Sequence, residues 1–457
     1  MKLYNTLSGR LEEFVPADAD EVKMYVCGVT PYSSTHVGHA LSYVVFDTLR
    51  RYLEYTGYKV RHVQNFTDVD DKIIQRAQES GVSEDDLVDE FIGDYFHAMD
   101  ALNIQRAAEY PRATREIPRI LDAIAGLIDR GHAYPAAGDV YFRVTSKDDY
   151  GKLSHRTLDS MIAGARIQVD ENKEHPMDFV LWKGAKPGEP SWESPWGPGR
   201  PGWHIECTAM SLEYLGEQLD IHGGGQDLVF PHHENEIAQS ECYTGAKPFS
   251  RYWMHNGLLQ LGSDKMSKSL GNLVSVADAL EEFTPDAMRL YFLSSHYRSP
   301  LAYSDEGAAA VERSLERVRH ALTPGNGSGP QVDAAEHRAR FTAAMEDDLN
   351  TPQAVAVLFD LARDINRGRD AGQSIDDGQS TLRELGDVLG LTFAERVSSA
   401  SELAAAPFID LLVSVRTELR AARQFALADQ IRDSLAEQGV ALEDSAQGTQ
   451  WQYQSPS

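Results

Sequence analysis

Two short segments of this 457-residue chain carry side chains suited to binding phosphate. The first, His36-Val37-Gly38-His39, lies between a predicted strand and a predicted helix, where free N–H groups and the helix dipole attract anions. Gly38 has no side chain, so a nucleotide can approach the backbone, and His36 and His39 can donate hydrogen bonds to phosphate oxygens. Two surface histidines at a helix start are the alternative interpretation of this segment alone.

The second segment, Lys265-Met266-Ser267-Lys268-Ser269, follows a predicted strand and a Gly-Ser-Asp turn. Lys265 and Lys268 on a loop of small residues can close over a triphosphate and stabilise the charge that develops on pyrophosphate. A solvated basic loop is the alternative. Both segments in one chain, in this order, predict a protein that binds ATP and activates a carboxylate as an adenylate.

A glycine-rich segment, Gly223-Gly224-Gly225, is a third candidate for nucleotide binding. Gly224 would let the backbone meet ATP, and Asp227 could accept a hydrogen bond from a ribose hydroxyl. A tight turn with a capping aspartate explains the same residues equally well.

Thiol, imidazole and carboxylate side chains offer a candidate metal site, because all three are accepted ligands of zinc. The set consists of Cys27, Cys207, His232 and Glu236. His232 and Glu236 are four residues apart and would share one face of a helix. His233 and Cys242 are competing donors, although Cys242 is off that face. Burial of free cysteines without a metal is the alternative.

Such a site could select a substrate by its sulfur atom. Zinc binds a thiolate far better than a hydroxyl, so cysteine would be accepted and serine rejected. Pocket shape alone discriminates between such isosteres only by roughly 10². A metal–sulfur bond would also remove the need for a separate editing site.

A parallel sheet is the element that could bring these residues together. Val22–Val26 is a predicted strand that ends at Cys27, apolar residues at helical spacing follow His39, and Tyr58–Asn65 is a second predicted strand. A strand, helix, strand order indicates a parallel sheet with a right-handed crossover. Ligands bind outside the carboxyl ends of such strands, which is where Cys27 and His36–His39 fall.

The rest of the chain is predicted in three parts. Residues of about 110–200 begin with helices and become dense in Pro, Gly and Trp, which indicates an insertion in the sheet domain. The domain then resumes with helix Trp203–Leu215, strands Leu219–His222 and Leu258–Leu261, and a helix starting at Thr284-Pro285. Long amphipathic helices follow residue 305, with a polar linker at 324–330, and a small final unit begins near residue 398.

Bulk composition excludes several classes of protein. Hydrophobic residues make up 42 % of the chain, and it contains no apolar run of about 18 residues, so no membrane span is predicted. The net charge of −27 argues against a non-specific nucleic-acid binder. Three cysteines and an N-terminal segment without an apolar stretch predict a reduced, cytoplasmic protein.

The chain resembles the cysteinyl-tRNA synthetases in motifs that span nearly its whole length. The two phosphate-binding segments resemble the signature pair of class I aminoacyl-tRNA synthetases. The other matching segments are Met24–Thr30, Val63–Lys72, Gly202–Cys207, Ile221–Asp227, Pro231–Glu236, His296–Leu301, Leu442–Asp444 and Gln447–Trp451.

This resemblance implies an α/β fold, with a Rossmann-type parallel-sheet catalytic domain, an α-helical bundle and a small mixed α/β C-terminal domain. The implied boundaries are 1–305 for the catalytic domain, with its insertion at about 110–200. A DALR-like bundle that contacts the tRNA stem would cover 306–397, and an anticodon-binding domain 398–457.

The resemblance also implies site residues, ligands and an activity. One zinc ion per chain would be held by Cys27, Cys207, His232 and Glu236. ATP with Mg²⁺ would contact the His36–His39 segment and Lys268, and Thr67 and Trp203 would line the pocket for L-cysteine and its adenylate. The implied enzyme is a monomer that forms cysteinyl-adenylate and transfers cysteine to the 3′ end of tRNA(Cys).

Anticodon recognition would fall to roughly the last sixty residues. Arg416, Arg420 and Arg423 recur at helical spacing and predict a local basic face. Asp429 and Asp444 could accept hydrogen bonds from base amino groups. A solvated amphipathic helix is the alternative for each of them.

Two other functions fit parts of the pattern. A cysteine ligase that acts on an amino-sugar acceptor could share the catalytic domain, but residues 400–457 favour tRNA. A non-catalytic RNA-binding or zinc-binding paralogue predicts loss of the lysine loop, whereas Lys265 and Lys268 are both present.

Overall fold

The structure, a computed structural model, describes residues 1–164, 171–261, 264–265, 274–394, 399–438, 440–445 and 448–453. They fall into two compact units, Met1–Ala394 and Glu395–Ser457. Within these ranges no helix is both long and apolar enough to cross a membrane. The three domains, with boundaries after residues 305 and 397, stay a prediction.

The first unit opens with a hairpin and then alternates strands with helices. Its first elements are β1 (Lys2–Asn5), β2 (Arg10–Glu13), β3 (Glu21–Val29), α1 (Val37–Tyr55), β4 (Lys59–Phe66), α2 (Asp71–Ser80) and α3 (Glu84–Ala101). The insertion adds α4 (Ile117–Asp129), β5 (Ala133–Ala136), β6 (Asp139–Phe142), α5 (Leu158–Gly164), β7 (Phe179–Gly184) and β8 (Gly199–Pro201). The sheet domain resumes with α6 (Trp203–Leu215), β9 (Leu219–Gly225), α7 (Glu234–Thr244), β10 (Ser250–Asn256), β11 (Leu259–Leu261) and β12 (Asp264–Lys265).

Helices dominate the remainder of the chain. The first unit continues with α8 (Val276–Glu282), α9 (Pro285–Leu293), β13 (Leu301–Tyr303), α10 (Asp305–Ala321), β14 (Gly329–Gln331), α11 (Ala335–Glu346), α12 (Thr351–Asp370), β15 (Gln373–Ser374) and α13 (Asp376–Val388). The second unit contains α14 (Ser399–Ala421), α15 (Phe425–Glu437), β16 (Val440–Ser445) and β17 (Gly448–Tyr453).

The central sheet has four parallel strands in the order β10-β9-β3-β4, which confirms the predicted Rossmann-type α/β fold. Met24 of β3 pairs with Ile221 of β9 on one side and with His62 of β4 on the other. β3 is buried along most of its length, as expected for a parallel strand whose sheet is covered by helices such as α1 and α6. The strands predicted at 22–26 and 58–65 correspond to β3 and β4.

Helix α1 has a defined start and stop. His36 caps it, because its Nδ1 accepts a hydrogen bond from the His39 amide (3.3 Å). The helix ends at Tyr55, and Gly57 follows at φ +103°, a left-handed conformation that favours glycine. The cap therefore fixes the first phosphate-binding segment at the point where the chain leaves β3 and enters α1.

The insertion forms a four-stranded antiparallel sheet in the order β5-β6-β7-β8. These strands were not predicted from the sequence, because runs of three to six residues containing Pro and Gly show no clear period. Glycine is required here, since a Cβ at Gly199 would collide with the Lys183 carbonyl and one at Gly202 with the Val180 carbonyl. The glycines, which suggested an irregular segment in the sequence, therefore allow β8 to approach β7.

The region after the sheet domain contains the predicted helices. Thr284 caps α9 as predicted, accepting from the Ala287 amide (3.3 Å), and Pro285 occupies the first helical position. The predicted linker at 324–330 is only partly irregular, because its end enters β14, which pairs in parallel with β15.

A buried ion-pair network joins α1, α9 and the turn after α13. Arg289 is 0 % exposed and donates to Asp47 (Nη2 to Oδ2, 2.6 Å) and to the carbonyl oxygens of Leu389 and Leu102 (both 2.9 Å). Arg51 donates to the same Asp47 oxygen (2.9 Å). Because water does not reach these groups, removal of one partner leaves buried charge and carbonyl oxygens unsatisfied.

We expect Arg289→Met to lower the free energy of unfolding by about 3–5 kcal/mol, as measured by chemical denaturation. The matched control is Arg340→Met, because Arg340 is 46 % exposed and pairs with Asp360 (2.8 Å) at the surface. That substitution should cost about 0–1 kcal/mol. Equal effects of the two substitutions would contradict a stabilising role for the buried network.

Candidate active site

Four side chains from distant parts of the chain meet beside the central sheet. Cys27 lies near the carboxyl end of β3, Cys207 on α6, His232 on the turn that leads into α7, and Glu236 on α7. The Cys27 sulfur is 3.9 Å from the Cys207 sulfur and 3.6 Å from Glu236 Oε1. That oxygen is 3.0 Å from His232 Nε2. All four side chains are buried, and their ligand atoms lie within 4.8 Å of one another.

The spacing of these atoms fits one zinc ion between them. Zinc–sulfur bonds of about 2.3 Å and zinc–oxygen bonds of about 2.1 Å give tetrahedral edges of about 3.8 Å between two sulfurs and about 3.6 Å between sulfur and oxygen. The Cys27–Cys207 distance of 3.9 Å and the Cys27–Glu236 distance of 3.6 Å match these edges. The residues therefore fit a buried metal site, and zinc as its occupant stays a prediction.

A second donor set overlaps the first and consists of Cys27, His222, His233 and Glu236. Glu236 belongs to both sets, since its other oxygen, Oε2, is 2.9 Å from His222 Nε2. The first set has two thiols and the second has one, and soft donors favour zinc. With the first set as ligands, His222 would orient the Glu236 carboxylate, and His233 would contact Cys27 (Nε2 to Sγ, 3.3 Å).

Burial and mutual contact determine the charge of this cluster. Burial raises the pKa of the Cys27 thiol, whereas the hydrogen bond from Cys27 lowers the pKa of the Cys207 thiol. Burial also opposes ionisation of Glu236, but the charges of His222 and His232 bring the pKa of its carboxyl below the usual value. Burial opposes a charge on His232 too, but the negative charges of Glu236 and Cys207 raise the pKa of its imidazole to about 10. A protonated His232 therefore balances the anions among these donors, and a bound cation would take the place of that proton.

The start of α1 is packed tightly around the imidazole of His36. The rings of His36 and His39 stack with their centroids 3.6 Å apart. A Cβ at Gly38 would lie 3.0 Å from His36 Nδ1, so a larger residue would push against that ring. Both half-buried imidazoles stand at a helix N-terminus, where N–H groups can bind phosphate.

The segment that carries the lysine motif is attached at both ends close to the start of α1. On its C-terminal side, the Val37 amide donates to the Val274 carbonyl (3.0 Å), and His36 forms a backbone bridge with Ser275. On its N-terminal side, Leu259 of β11 lies against the glycine of the first motif. Residues before and after the lysine motif therefore lie near His36.

Lys265 itself begins the lysine motif on β12, where its backbone pairs with Gln260 of β11. The side chain of Lys265 and the whole of Lys268 lie outside the described residues. Their predicted contacts with ATP stay predictions.

Thr67 is buried, whereas Trp203 is partly exposed. Thr67 is 3 % exposed, and its hydroxyl accepts a hydrogen bond from the Asn65 side chain (3.3 Å). Trp203 is the first residue of α6, is 40 % exposed, and stacks on His232 with ring centroids 4.2 Å apart. Trp203 is thus an accessible aromatic surface in contact with a candidate metal ligand.

Gly224 lies inside β9, where it pairs with His255 of β10, and not in a turn. A Cβ at this position would lie 2.8 Å from the Leu228 side chain and 3.0 Å from the His233 ring. Glycine therefore makes room for His233. Asp227 is exposed in the short turn after β9, and the predicted ATP contacts of both residues stay predictions.

Known proteins match this chain over nearly its whole length. A family model described as the catalytic domain of class I (C) tRNA synthetases matches residues 13–313, and a DALR domain model matches residues 340–394. A cysteine–tRNA ligase of Dehalococcoides mccartyi is 58 % identical over 456 residues, which is 99 % of each chain. One from Carboxydothermus hydrogenoformans is 49 % identical over 463 residues, again 99 % of each.

The chain belongs to the cysteine–tRNA ligase family. This confirms the resemblance drawn from its motifs. Among solved structures, a Mycobacterium tuberculosis methionyl-tRNA synthetase with methionyl-adenylate is similar at a TM-score of 0.60 and 17 % identity, covering 81 % of this chain and 89 % of that one. A leucyl-tRNA synthetase from Agrobacterium radiobacter is similar at a TM-score of 0.59 and 12 % identity, covering 82 % of this chain and 84 % of that one. At such identities the likeness shows the shared fold alone.

The residues predicted for tRNA binding differ in their exposure to solvent, although their spacing suggested one exposed face. Arg416 is 1 % exposed and donates to Thr449 (Nη1 to Oγ1, 3.3 Å), so it does not belong to an exposed basic face as predicted. Arg420 is exposed, and so is Asp429, which pairs with Arg432 (3.0 Å). The side chain of Asp444 lies outside the described part of the structure.

Three histidines close to the candidate metal ligands were missed from the sequence. His222 contacts Glu236, His204 contacts His232 (Nδ1 to Nδ1, 2.9 Å), and His255 contacts His233 (Nε2 to Nδ1, 2.8 Å). His222 and His255 both precede the carboxyl ends of parallel strands, which is a signal that could have identified them.

We expect Cys207→Ala to lose the bound metal and His222→Ala to retain one ion per chain with roughly 10–100-fold weaker affinity. The reason is that Cys207 is a donor in the favoured set and His222 only orients Glu236. Metal content after gel filtration, measured by elemental mass spectrometry, distinguishes the two. Cys242→Ala, at a buried cysteine outside both sets, is the control. The reverse result would assign the metal to the histidine-rich set.

Proposed function

We propose that the chain is an ATP-dependent cysteine–tRNA ligase, which joins L-cysteine to AMP and then transfers it to the 3′ end of tRNA(Cys). The observation that supports this most directly is the buried group of donors at the edge of the sheet: Cys27, Cys207, His232 and Glu236. Membership of the family accounts for the type of reaction, and a soft metal ion held by the two thiols would account for a preference for cysteine.

Selection of cysteine would depend on the donors and on the groups that hold them. These four side chains would hold zinc, which would supply a soft Lewis acid able to take a substrate thiolate as a fifth ligand in preference to a hydroxyl. His222 fixes the Glu236 carboxylate through Oε2 (2.9 Å), and the Trp203 ring covers His232. The protein's own contribution is therefore to exclude water and to keep the donors in one orientation.

Formation of the adenylate needs positioning more than proton transfer. A carboxylate oxygen of cysteine attacks the α-phosphorus of ATP, the bond to the bridging oxygen breaks, and pyrophosphate leaves. His36 and His39 would donate hydrogen bonds to phosphate oxygens at the start of α1. Lys265 and Lys268 would stabilise the departing pyrophosphate, with Mg²⁺ bound to the nucleotide.

In the second step a ribose hydroxyl of the tRNA attacks the cysteinyl carbonyl carbon, and AMP leaves. We assign contacts with tRNA to the helical region predicted at 306–397 and to the C-terminal region predicted at 398–457. Exposed Arg420 and Asp429 are the candidates for anticodon contacts. The enzyme is expected to act as a cytoplasmic monomer.

Cysteine-dependent exchange of pyrophosphate into ATP should occur, and serine should support at least about 10²-fold less. Chelation that removes the metal should abolish exchange with cysteine, and added zinc should restore it. Exchange that persists unchanged after verified loss of metal would contradict selection through the metal. Charging of tRNA(Cys) is measured in parallel, because exchange without charging would favour a different acceptor.

We expect Gly38→Ala to lower the rate of this exchange about 10–100-fold, and to lower the free energy of unfolding by no more than the roughly 1 kcal/mol of one helix cap. The added Cβ lies 3.0 Å from His36 Nδ1 and displaces the imidazole that caps α1. Gly93→Ala is the matched control, because a Cβ on that α3 glycine meets nothing within 4 Å. Unchanged exchange kinetics in the Gly38 variant would remove the first motif from the ATP site.

A further inference from the structure

The turn between α11 and α12 has a backbone conformation that its residue types disfavour. Asp348 and Leu349 are consecutive left-handed residues, at φ +56° and +51°, and neither is glycine. A Cβ is crowded in this conformation, so it persists only where the surrounding structure holds it, and such strain is frequent at functional positions. Both residues are buried, with Asp348 3 % and Leu349 0 % exposed. Neither belongs to the phosphate-binding segments or to the metal donors.

Both oxygens of the Asp348 carboxylate bind groups from outside the turn. Oδ1 accepts from the Tyr4 amide of β1 (2.7 Å) and from the Tyr297 hydroxyl (2.8 Å). Oδ2 accepts from the Arg298 guanidinium through Nε and Nη2 (2.8 and 2.7 Å). The Asp348 amide donates to the Lys2 carbonyl (3.1 Å). The left-handed conformation is therefore held by contacts with two other segments of the first unit.

Tyr297 connects this carboxylate to the residues that lead into the lysine motif. Its carbonyl oxygen accepts from the Gly257 amide (2.7 Å), and the Leu301 amide donates to the Leu258 carbonyl (3.1 Å). Glycine is required at 257, since a Cβ there would lie 2.2 Å from the Ser299 carbonyl oxygen. The main chain after Tyr297 is therefore in direct contact with the main chain around Gly257.

The next two residues, Leu258 and Leu259, lie beside two of the segments predicted to bind the nucleotide. A Cβ at Gly38 would lie 3.9 Å from Leu259 Cβ, and one at Gly225 would lie 3.8 Å from Leu258 Cδ2. Displacement of these leucines would thus alter the space around both glycines. An in-line displacement tolerates little of this, since a misplacement of about 1 Å can lower its rate by roughly 10².

We propose that Asp348 is a positioning residue for the ATP site, which holds Tyr297 and through it residues 257–259 against the start of α1. The proposal rests on the proposed function, because it assumes that ATP binds at the His36–His39 segment. ATP affinity then depends on a turn of the helical region. The candidate metal ligands lie on other elements, so recognition of cysteine does not depend on Asp348. A purely stabilising contact would change neither KM.

Asp348→Gly removes the carboxylate, and glycine adopts the left-handed conformation without strain. In cysteine-dependent pyrophosphate exchange, we expect the KM for ATP to rise roughly tenfold and the KM for cysteine to change less than about twofold. Tyr297→Phe, which removes only one of the hydrogen bonds to the carboxylate, should raise the KM for ATP about threefold.

Asp348→Asn is the conservative variant, because asparagine tolerates the left-handed conformation and keeps an oxygen for Tyr4 and Tyr297. It loses the ion pair with Arg298, whose side chain is 39 % exposed, so this loss should matter little. The KM for ATP should therefore stay within about twofold of the wild-type value.

Asp178→Gly is the matched control, at a buried aspartate of the insertion with similar partners. Asp178 is 1 % exposed and accepts from the Tyr134 hydroxyl (2.7 Å) and from the amides of Val144 (2.9 Å) and His175 (3.0 Å). This variant should lose stability as Asp348→Gly does, but its KM for ATP should equal that of the wild type.

Hydrogen exchange of the amides of residues 257 and 301 measures the positioning without any activity. In the ligand-free Asp348→Gly variant, both amides should exchange roughly tenfold faster than in the wild type, because the contacts that protect them open more often. In Asp178→Gly their exchange should not change.

An unchanged KM for ATP in Asp348→Gly, together with a lower free energy of unfolding, would make Asp348 a stabilising residue only and overturn the proposal. A rise of equal size in Asp178→Gly or in Asp348→Asn would contradict it as well. If the wild type does not exchange pyrophosphate, the proposed function fails instead. Amide exchange then decides the positioning, and equal protection in Asp348→Gly and the wild type would exclude it.

Discussion

Three buried glutamates on α7 determine how the parts of the first unit fit together, because a carboxylate removed from water must be matched by nearby donors. Glu236 is matched by two histidines (2.9 and 3.0 Å). Glu234 accepts from the amides of residues 151, 153 and 154 (2.8–3.0 Å), and Glu241 pairs with two lysines, at 147 and 152 (2.8 and 2.7 Å). Two of these matches come from the insertion, so the helix that holds the candidate metal ligand also fixes the insertion beside the site.

The parallel sheet explains how residues 180 positions apart in the chain, Cys27 and Cys207, can meet. The rule that ligands bind at the carboxyl ends of parallel strands was enough to predict that Cys27 and the His36–His39 segment share one edge. It was not enough to show which strand lies beside β3. That neighbour is β9, in a register that pairs Tyr25 with His222, so the contact between His222 and Glu236 could not be predicted from spacing along the chain.

Spacing also left the directions of some side chains open. His232 and Glu236 have the separation of one helical face. However, Phe230 is extended (φ −141°, ψ 131°) just before α7, and His233 is buried next to Cys27 as well. On α14 the spacing of arginines suggested an exposed face, yet Arg416 is buried while the apolar Phe408 is 70 % exposed. Helical periodicity identifies residues that share a face, and the partners of that face decide whether it is buried.

Burial would make the site selective. It also means that the four donors lower the stability of the fold when no cation balances their charge. Cysteine and serine differ by sulfur and oxygen in nearly the same shape, so a pocket must distinguish them by the softness of the atom it binds. All four donors are buried, so a cation bound among them would interact with thiolate and carboxylate charge that water does not screen. Thiolate and carboxylate charge gathered without water destabilises the fold unless a proton on His232 or a bound cation balances it. Selection of the substrate, as proposed, and stability of the sheet edge would therefore depend on one set of side chains.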